Sequence, residues 1–521
     1  MQLLDAWRRL PRGVWMWLGA AGLSACLILG PYHMDEWGQI SAFYLQKLGF
    51  MQASDMPWEF AERMRPWLQP LTYAALLSPV IDATGYHHFA MERVLHIVHW
   101  VLLVAIAPIY WGLLRASEGE GEAPALTFWL LGTLWFVPSM FVRHSSEVAS
   151  ALFLILMLWA WRKAEDRDQG SWGLLAGLAA GFAFWARFQS ALFVAPFWLA
   201  LLPARGRGKI LSLFAAGVLL TMPIGVGLDF IGYGEWVFSP YEYFRANVLE
   251  NRAAEFGESG PWFYFVVLAA IFLNPFIWVW GGEAARLRWR EPWLRAVAVG
   301  CLGFVIAHTA IGHKEARFMF PILPLLGTLV VAYLAAPQVR WEWMRNRRFL
   351  RGVIAVQLVA LVAYTALGLT KDRVRIDLAL WNLPEDQAVI SGANLYGPSL
   401  VDELVEPYAV ELTSSRDYTR RFVRPPHLTL IGAYAEDYGR SCERHPEAVV
   451  LFTSVDATRT DQAFRATMLN HSWSTLASFP WPWFTVDAKW YRKMWRFKLV
   501  GCDAIRQSWA EVIRAAPVGE E

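Results

Sequence analysis

Apolar runs of near-constant length recur through the first 370 residues, broken by short polar segments. "VWMWLGAAGLSACLILG", "VLHIVHWVLLVAIAPIYWGLL" and "VIAVQLVALVAYTALGLT" each stay nearly uncharged for roughly 17 to 21 residues, enough to cross a hydrocarbon core of about 30 Å. The pattern predicts spans at 13–31, 93–114, 124–142, 147–161, 172–187, 189–203, 210–229, 262–281, 294–311, 318–336 and 351–370. A signal peptide explains one such run, not a succession, and the first run lacks a convincing small-residue cleavage site. The chain therefore reads as an all-α polytopic membrane protein of about eleven spans. A further apolar segment from Pro66, "PWLQPLTYAALLSPVIDATG", is interrupted by prolines and a glutamine.

Arginine placement arbitrates that segment. Arg8, Arg9 and Arg12 put the N-terminus in the cytoplasm. If the Pro66 segment does not cross, "WRKAEDRD", "PARGRGK", "EAARLRWREPWLR" and "PQVRWEWMRNRRFLR" all fall on the same side. If it crosses, every one of those loops lies outside, against the positive-inside rule. It is therefore assigned as an outer-face or re-entrant helix within a first outer loop spanning 32–92. Residues 1–370 form one transmembrane module. Residues 371–521 hold no spanning run and alternate short β-rich stretches, such as "HLTLIGAY" and "EAVVLFTSV", with helix-like pieces. They predict a small extracytoplasmic α/β domain, a lid or scaffold or else an acceptor-docking piece. The later stretch "WPWFTVDAKWYRKMWRFKLV" mixes tryptophan with lysine and arginine, as a headgroup-level belt or a sugar- or lipid-handling edge would.

Composition agrees with the membrane reading: 56% of residues are hydrophobic, 18% are charged and 30 are tryptophan. The net charge of +2 says little, because position matters more than sum in such a protein, and nothing points to nucleic acid. Four cysteines show no metal-ligand spacing. Cys26 and Cys301 sit in apolar runs as small hydrophobes, whereas Cys442 and Cys502 lie in the polar tail and could pair in an oxidising compartment.

Five polar clusters emerge on the outer face: "PYHMDEWGQ", "VRHSSEVAS", "WARFQS", the loop from Asp229 to Trp262, and "GHKEARF". Charge squeezed between apolar runs is a functional hypothesis by default. Asp35 and Glu36 end the first span. A carboxylate beside an apolar interface is suited to accept a proton, although a lone acidic pair can equally mark the membrane boundary. His313, Lys314 and Arg317 gather a donor, a point charge and a fork, a set that fits phosphate. A snorkelling collar of basic residues is the alternative, and it belongs on the cytoplasmic side. Arg187 and Gln189 could join the set, with Glu315 balancing its charge.

"HKEARFMFPILPLL" resembles the signature of the glycosyltransferase family 22 enzymes, the polyprenyl-phosphate-mannose-dependent α-mannosyltransferases of lipid-linked oligosaccharide and GPI-anchor assembly. "HMDEWGQ" resembles that family's first-loop acidic motif, "RMRPWLQPL" its outer-loop arginine segment, and "EFGESGPWFYF" its Gly-x-x-Pro-Trp-x-x-Tyr segment. "VRHSSEVAS" follows the family's acceptor-side segment loosely. Together these cover roughly residues 30–330.

The resemblance implies the GT-C fold type and an inverting transfer of a sugar, most simply mannose, from a polyprenyl-phosphate donor to a glycan or lipid-linked acceptor. Asp35 would be the general base with Glu36 beside it. His313, Lys314, Arg317 and Arg187 would bind the donor phosphate. Glu315, Gln189, Arg143, Glu147 and Trp262 would contact substrate. A lipid-phosphate sugar carries its own leaving group, so no cofactor is expected and an obligatory divalent metal is not favoured. The expected location is a bacterial inner membrane with the site facing the periplasm, the endoplasmic reticulum being the other option. A transporter or flippase for a polyprenyl-linked or anionic solute is the rival from another class. Its site belongs near the midplane between repeats, rather than at helix ends on one face.

Overall fold

A computed structural model describes residues 7–28, 35–53, 56–118, 122–134, 136–167, 170–203, 206–271, 277–368, 388–391, 429–432, 438–453, 472, 475–479 and 497–515. The chain divides into two units, residues 1–52 with 59–369, and residues 53–58 with 370–521.

The first unit is a bundle of helices, and it is an integral membrane module. Among the described residues, four segments are long and apolar enough to cross a membrane: His88–Ser117, Gly208–Tyr233, Pro292–Ala310 and Ala316–Leu334. Shorter apolar helices run over Ala123–Gly132, Gly170–Ala186 and Phe188–Leu201. Leu219, Leu220 and Ile224 face outward on one helix and Val356, Val359 and Val362 on another, as lipid-facing surfaces require.

Several predicted spans are broken rather than continuous. The expected 124–142 span is a helix over Ala123–Gly132, followed by a turn and a short helix over Val137–Met140. The expected 318–336 span begins as a 3-10 turn, Ala316–Ile322, before the α-helix Leu323–Leu334. Pro321 and Pro324 supply no N–H, and their rings oppose continuous α-geometry, so the junction falls between them. The expected 262–281 span contains the helix Phe263–Ile271, while a separate helix covers Ile277–Arg288 and residues 272–276 lie outside the described set. The Pro66 segment is a helix over Leu68–Thr84 with Pro79 inside it, too short to count among the four spanning segments.

Small residues set the closest helix crossing. A Cβ on Gly177 would sit 2.0 Å from the Phe214 carbonyl oxygen, and one on Gly217 would sit 2.4 Å from that of Leu174. The helices Gly170–Ala186 and Gly208–Tyr233 thus meet backbone to backbone, the way membrane helices gain dispersion contact where lipid removes the hydrophobic drive. Beside this crossing, the fully buried Trp161 meets Phe197 and Phe214 edge-on at 5.7 and 6.0 Å. That aromatic knot anchors the helix Ser146–Arg167, whose first turn carries part of the polar cluster described below.

In the second unit, five strands form one mixed sheet: β1 (Ala388–Ser391), β2 (Thr429–Gly432), β3 (Val449–Thr453), β4 (Thr475–Phe479) and β5 (Phe497–Gly501), in the order β2-β1-β3-β5-β4. β1 runs parallel to both neighbours, while β5 is antiparallel to β3 and β4. Cys442, in the helix Tyr438–Arg444, is disulfide-bonded to Cys502, the first residue of the helix Cys502–Ala515. Most of the tryptophan-rich stretch expected at a headgroup belt, residues 481–496, lies outside the described residues.

Candidate active site

The polar residues of the first unit collect where helices are interrupted. Asp35 precedes a π-helical turn, Glu36–Ser41, a rare and wide geometry found often at functional sites. Arg187 sits in extended backbone (φ −155°, ψ 110°) between the helix ending at Ala186 and the 3-10 turn Phe188–Ser190. Glu315 is likewise extended, between the helix Pro292–Ala310 and the 3-10 turn that carries Arg317. Chain breaks free these side chains from helix faces and turn them toward one another.

Arg317 is the hub. Its guanidinium donates to the Asp35 carboxylate, to Glu147 Oε1 at 3.0 Å, and to Glu315 at 2.5 and 2.9 Å. Glu147 Oε1 also accepts from Arg187 Nη1 at 2.9 Å, so one carboxylate bridges two guanidinium groups. Arg187 and Arg317 both lie over the Phe318 ring, at 5.1 and 5.2 Å, which holds both planes in place. Exposure grades across the cluster: the Arg317, Arg187 and Glu147 side chains are 3 to 5% exposed, and Asp35 is 23% exposed. Asp35, with Glu315 at 16%, is therefore where an incoming molecule can reach the cluster. Glu36 turns inward and pairs with Arg143 at 3.2 Å, both almost fully buried.

The expected phosphate-binding set divides. Arg317 and Arg187 are in the cluster, and His313 borders it through Nε2 donating to Glu315 Oε1 at 2.9 Å. Lys314 instead turns its ammonium to the carbonyls of Ile311, Ser259 and Gly312, at 2.5, 2.8 and 3.3 Å. With the backbone bond from Ser259 N–H to Gly312 O at 3.0 Å, this lysine staples the 257–259 loop to the 311–314 loop. Trp262 is 63% exposed and its indole lies against its own loop at Gly260.

Two groups of residues were not assigned from the sequence. The first continues outward from Asp35. Gln39 Nε2 donates to Glu59 Oε1 at 3.3 Å, and Arg65 Nη2 donates to the same oxygen at 2.5 Å. The Arg65 guanidinium lies 5.3 Å from the Tyr243 ring centre, and the Tyr243 hydroxyl accepts from Gln189. Burial, with the Asp35 charge adding to it, pushes the Glu59 carboxyl above the usual range against the pull of Arg65. Gln189 is two residues from Arg187, so the chain of contacts returns to the Arg187–Glu147–Arg317–Asp35 side. The result is two unlike arcs of side chains, joined through the backbone at residues 187–189 and 35–39.

The second group lies behind the acid pair. His88, Glu92, His96 and His99 fall on one face of the helix His88–Glu118, all buried, with His88 Nε2 3.4 Å from Glu92 Oε1. Gln69 donates to the Tyr73 hydroxyl at 3.0 Å, and that hydroxyl donates to His99 Nε2 at 2.6 Å. Ser41 donates to the Glu36 carbonyl at 3.3 Å, which leaves His144 Nε2–H to donate to Ser41 Oγ at 3.1 Å. Spacing of i, i+4, i+8 and i+11 inside an apolar run was the available signal. Among the described residues, no three His, Cys, Asp or Glu side chains converge as metal ligands.

The first unit is thus a bundle of interrupted apolar helices with an acid and paired guanidiniums at the helix breaks, and its fold is of the membrane glycosyltransferase type. The fold is similar to that of ArnT from Cupriavidus metallidurans, solved bound to undecaprenyl phosphate, with a TM-score of 0.53 and 12% identity, over 93% of this chain and 97% of that one. Residues 14–382 match the Alg9-like mannosyltransferase family, and the chain belongs to that family. GPI mannosyltransferase 3 of Trypanosoma brucei brucei is 32% identical over 246 residues, 44% of this chain and 41% of that one. GPI alpha-1,2-mannosyltransferase 3 of Homo sapiens is 24% identical over 322 residues, 58% of this chain and 53% of that one. The chain thus spans about half the length of the curated relatives it matches.

Proposed function

We propose that the protein is a membrane mannosyltransferase that moves mannose from a polyprenyl-phosphate donor to a glycolipid acceptor. The observation that carries this reading is the Asp35–Arg317–Glu147–Arg187 chain, which sets one reachable carboxylate beside two buried guanidinium groups. The names of the relatives supply the sugar, and the lipid phosphate bound by ArnT supports the donor class.

The Arg317 guanidinium donates to Asp35. A donor phosphate arriving over Arg187 and Arg317 competes for the fork and leaves the Asp35 carboxylate facing the acceptor hydroxyl. Asp35 takes the hydroxyl proton as that oxygen bonds to the anomeric carbon, and the bond from that carbon to the phosphate oxygen breaks, with inversion. Negative charge grows on the departing polyprenyl phosphate, where fixed guanidinium donors stabilise it with little reorganisation. Glu147 and Glu315 hold those donors in place, His313 orients Glu315, and Lys314 keeps the adjoining loop seated while adding positive charge. Arg143 anchors Glu36, which fixes the turn carrying Asp35.

Around this chemistry we place about eleven spans, the sheet-containing unit outside, and the site facing the periplasm of a bacterial inner membrane or the corresponding lumenal face of the endoplasmic reticulum. The transporter reading has less support, since the charges cluster at helix ends and breaks rather than between matched repeats. The test is transfer of labelled mannose from polyprenyl-phosphate-mannose into a membrane lipid extract. Wild-type protein should form product, and Asp35→Asn should bind donor and form almost none. An Asp35→Asn variant with wild-type turnover would sink the assignment.

A further inference from the structure

We infer that the arc formed by Gln39, Glu59, Arg65, Tyr243 and Gln189 is the acceptor subsite, and that it takes a neutral hexose through adjacent hydroxyls. This rests on the transfer reaction proposed above.

The two arcs differ in the groups they offer a ligand. The Arg187–Arg317 side holds two guanidiniums against one aromatic ring, paired with Asp35, Glu147 and Glu315, so an anion there gains two forks by displacing Asp35 from Arg317. On the other side a single guanidinium is cancelled by the single carboxylate it touches, and the remaining groups are two amides and a phenol. A phosphate gains little there. A sugar gains donors and acceptors at hydroxyl spacing, together with an aromatic ring, which is how uncharged polyols are held. Glu59 and Arg65 are 11 and 16% exposed at the side chain, against 3 and 4% for the Glu36–Arg143 pair, so the arc opens where that buried pair does not. Tyr243 and Gln189 are half-buried. Arg65 Nε is buried with no hydrogen-bond partner in this structure, so its donors are not all spent on holding Glu59. Gln39 follows Asp35 by one turn of the same segment, which fixes the distance between the base and the sugar it must deprotonate.

The experiment is steady-state transfer by full-length wild type, Tyr243→Phe, and Gln39→Ala with Gln189→Ala. Donor and membrane lipid extract are titrated separately, and labelled-donor binding is measured alongside. Tyr243→Phe keeps the ring and removes only the hydroxyl, so folding is preserved. The expected result is a rise of about tenfold in the extract needed for half-maximal rate, as the loss of one or two substrate hydrogen bonds gives. Donor half-saturation and donor binding should stay within about twofold. Unchanged acceptor dependence in folded variants overturns the inference, and so does a shift confined to the donor, while both leave the transfer reaction standing. Wild-type protein that binds donor yet transfers nothing to the extract overturns the reaction, and the subsite with it.

Discussion

Arg317 gives the sharpest perturbation because its one fork meets three carboxylates. Replacement by methionine keeps the approximate volume and removes four hydrogen bonds, to Asp35, Glu147 and, twice, Glu315. Two costs are separable. Loss of a preorganised donor to the leaving group lowers turnover by about 100- to 1000-fold, or about 3 to 4 kcal/mol of barrier. Loss of the guanidinium that joins these acids leaves three neighbouring carboxylates with less positive charge among them, which destabilises the fold by about 3 to 5 kcal/mol. Arg317→Lys restores a point charge that can meet one carboxylate but cannot span three, so it should recover stability more than turnover. Adding Glu315→Gln to Arg317→Met removes one of the crowded carboxylates while leaving the Arg187–Glu147 pair intact, and should raise the melting temperature without restoring transfer. The assays are labelled-mannose transfer in lipid nanodiscs and thermal unfolding of the same samples. Arg317→Met that stays folded with near-wild-type turnover refutes the reasoning, as does a double variant that regains both properties together.

His144 is a positioning residue, acting through Ser41 on the Glu36 carbonyl. His144→Leu should lower turnover about tenfold while leaving donor and acceptor half-saturation near wild type, and His144→Gln, which keeps a donor at a similar reach, should restore most of the loss. Equal rates for the two variants would remove the role. In the second unit, the Cys442–Cys502 bond closes a loop with a sequence separation of 60, which on chain-entropy grounds contributes about 4 kcal/mol. Alkylation mass spectrometry should find these two thiols protected until reduction, and reduction should lower the unfolding temperature of this unit. Free thiols at both positions in unreduced protein would contradict the pairing.

Asp35, Arg187 and Arg317 were legible because charge among apolar runs is rare and its cost in lipid demands a reason. Sequence order put them at the ends of expected spans but could not say which would touch. Glu147 shows the limit: it was assigned to substrate, yet it bridges Arg187 and Arg317, a contact between residues 40 and 170 positions away from it. Lys314 shows it differently, since a charged residue inside a motif looks the same whether it meets phosphate or three carbonyls. The histidine stripe escaped notice because a neutral imidazole or a single acid barely lowers the hydropathy of a run, whereas Glu59 and Tyr243 lie in polar loops where one more acid or phenol does not stand out.

By itself, the sequence determined the class of molecule. Apolar length fixes that helices lie in lipid, because it depends on local transfer free energies that need no partner. The tertiary structure alone decided where those helices break and which polar groups meet across the breaks. Pro321 and Pro324 make a junction permissible, but only the packed bundle turns Arg317 to Asp35, a contact across 282 positions. A contact of that kind depends on the simultaneous placement of several helices, and no local window of sequence carries it.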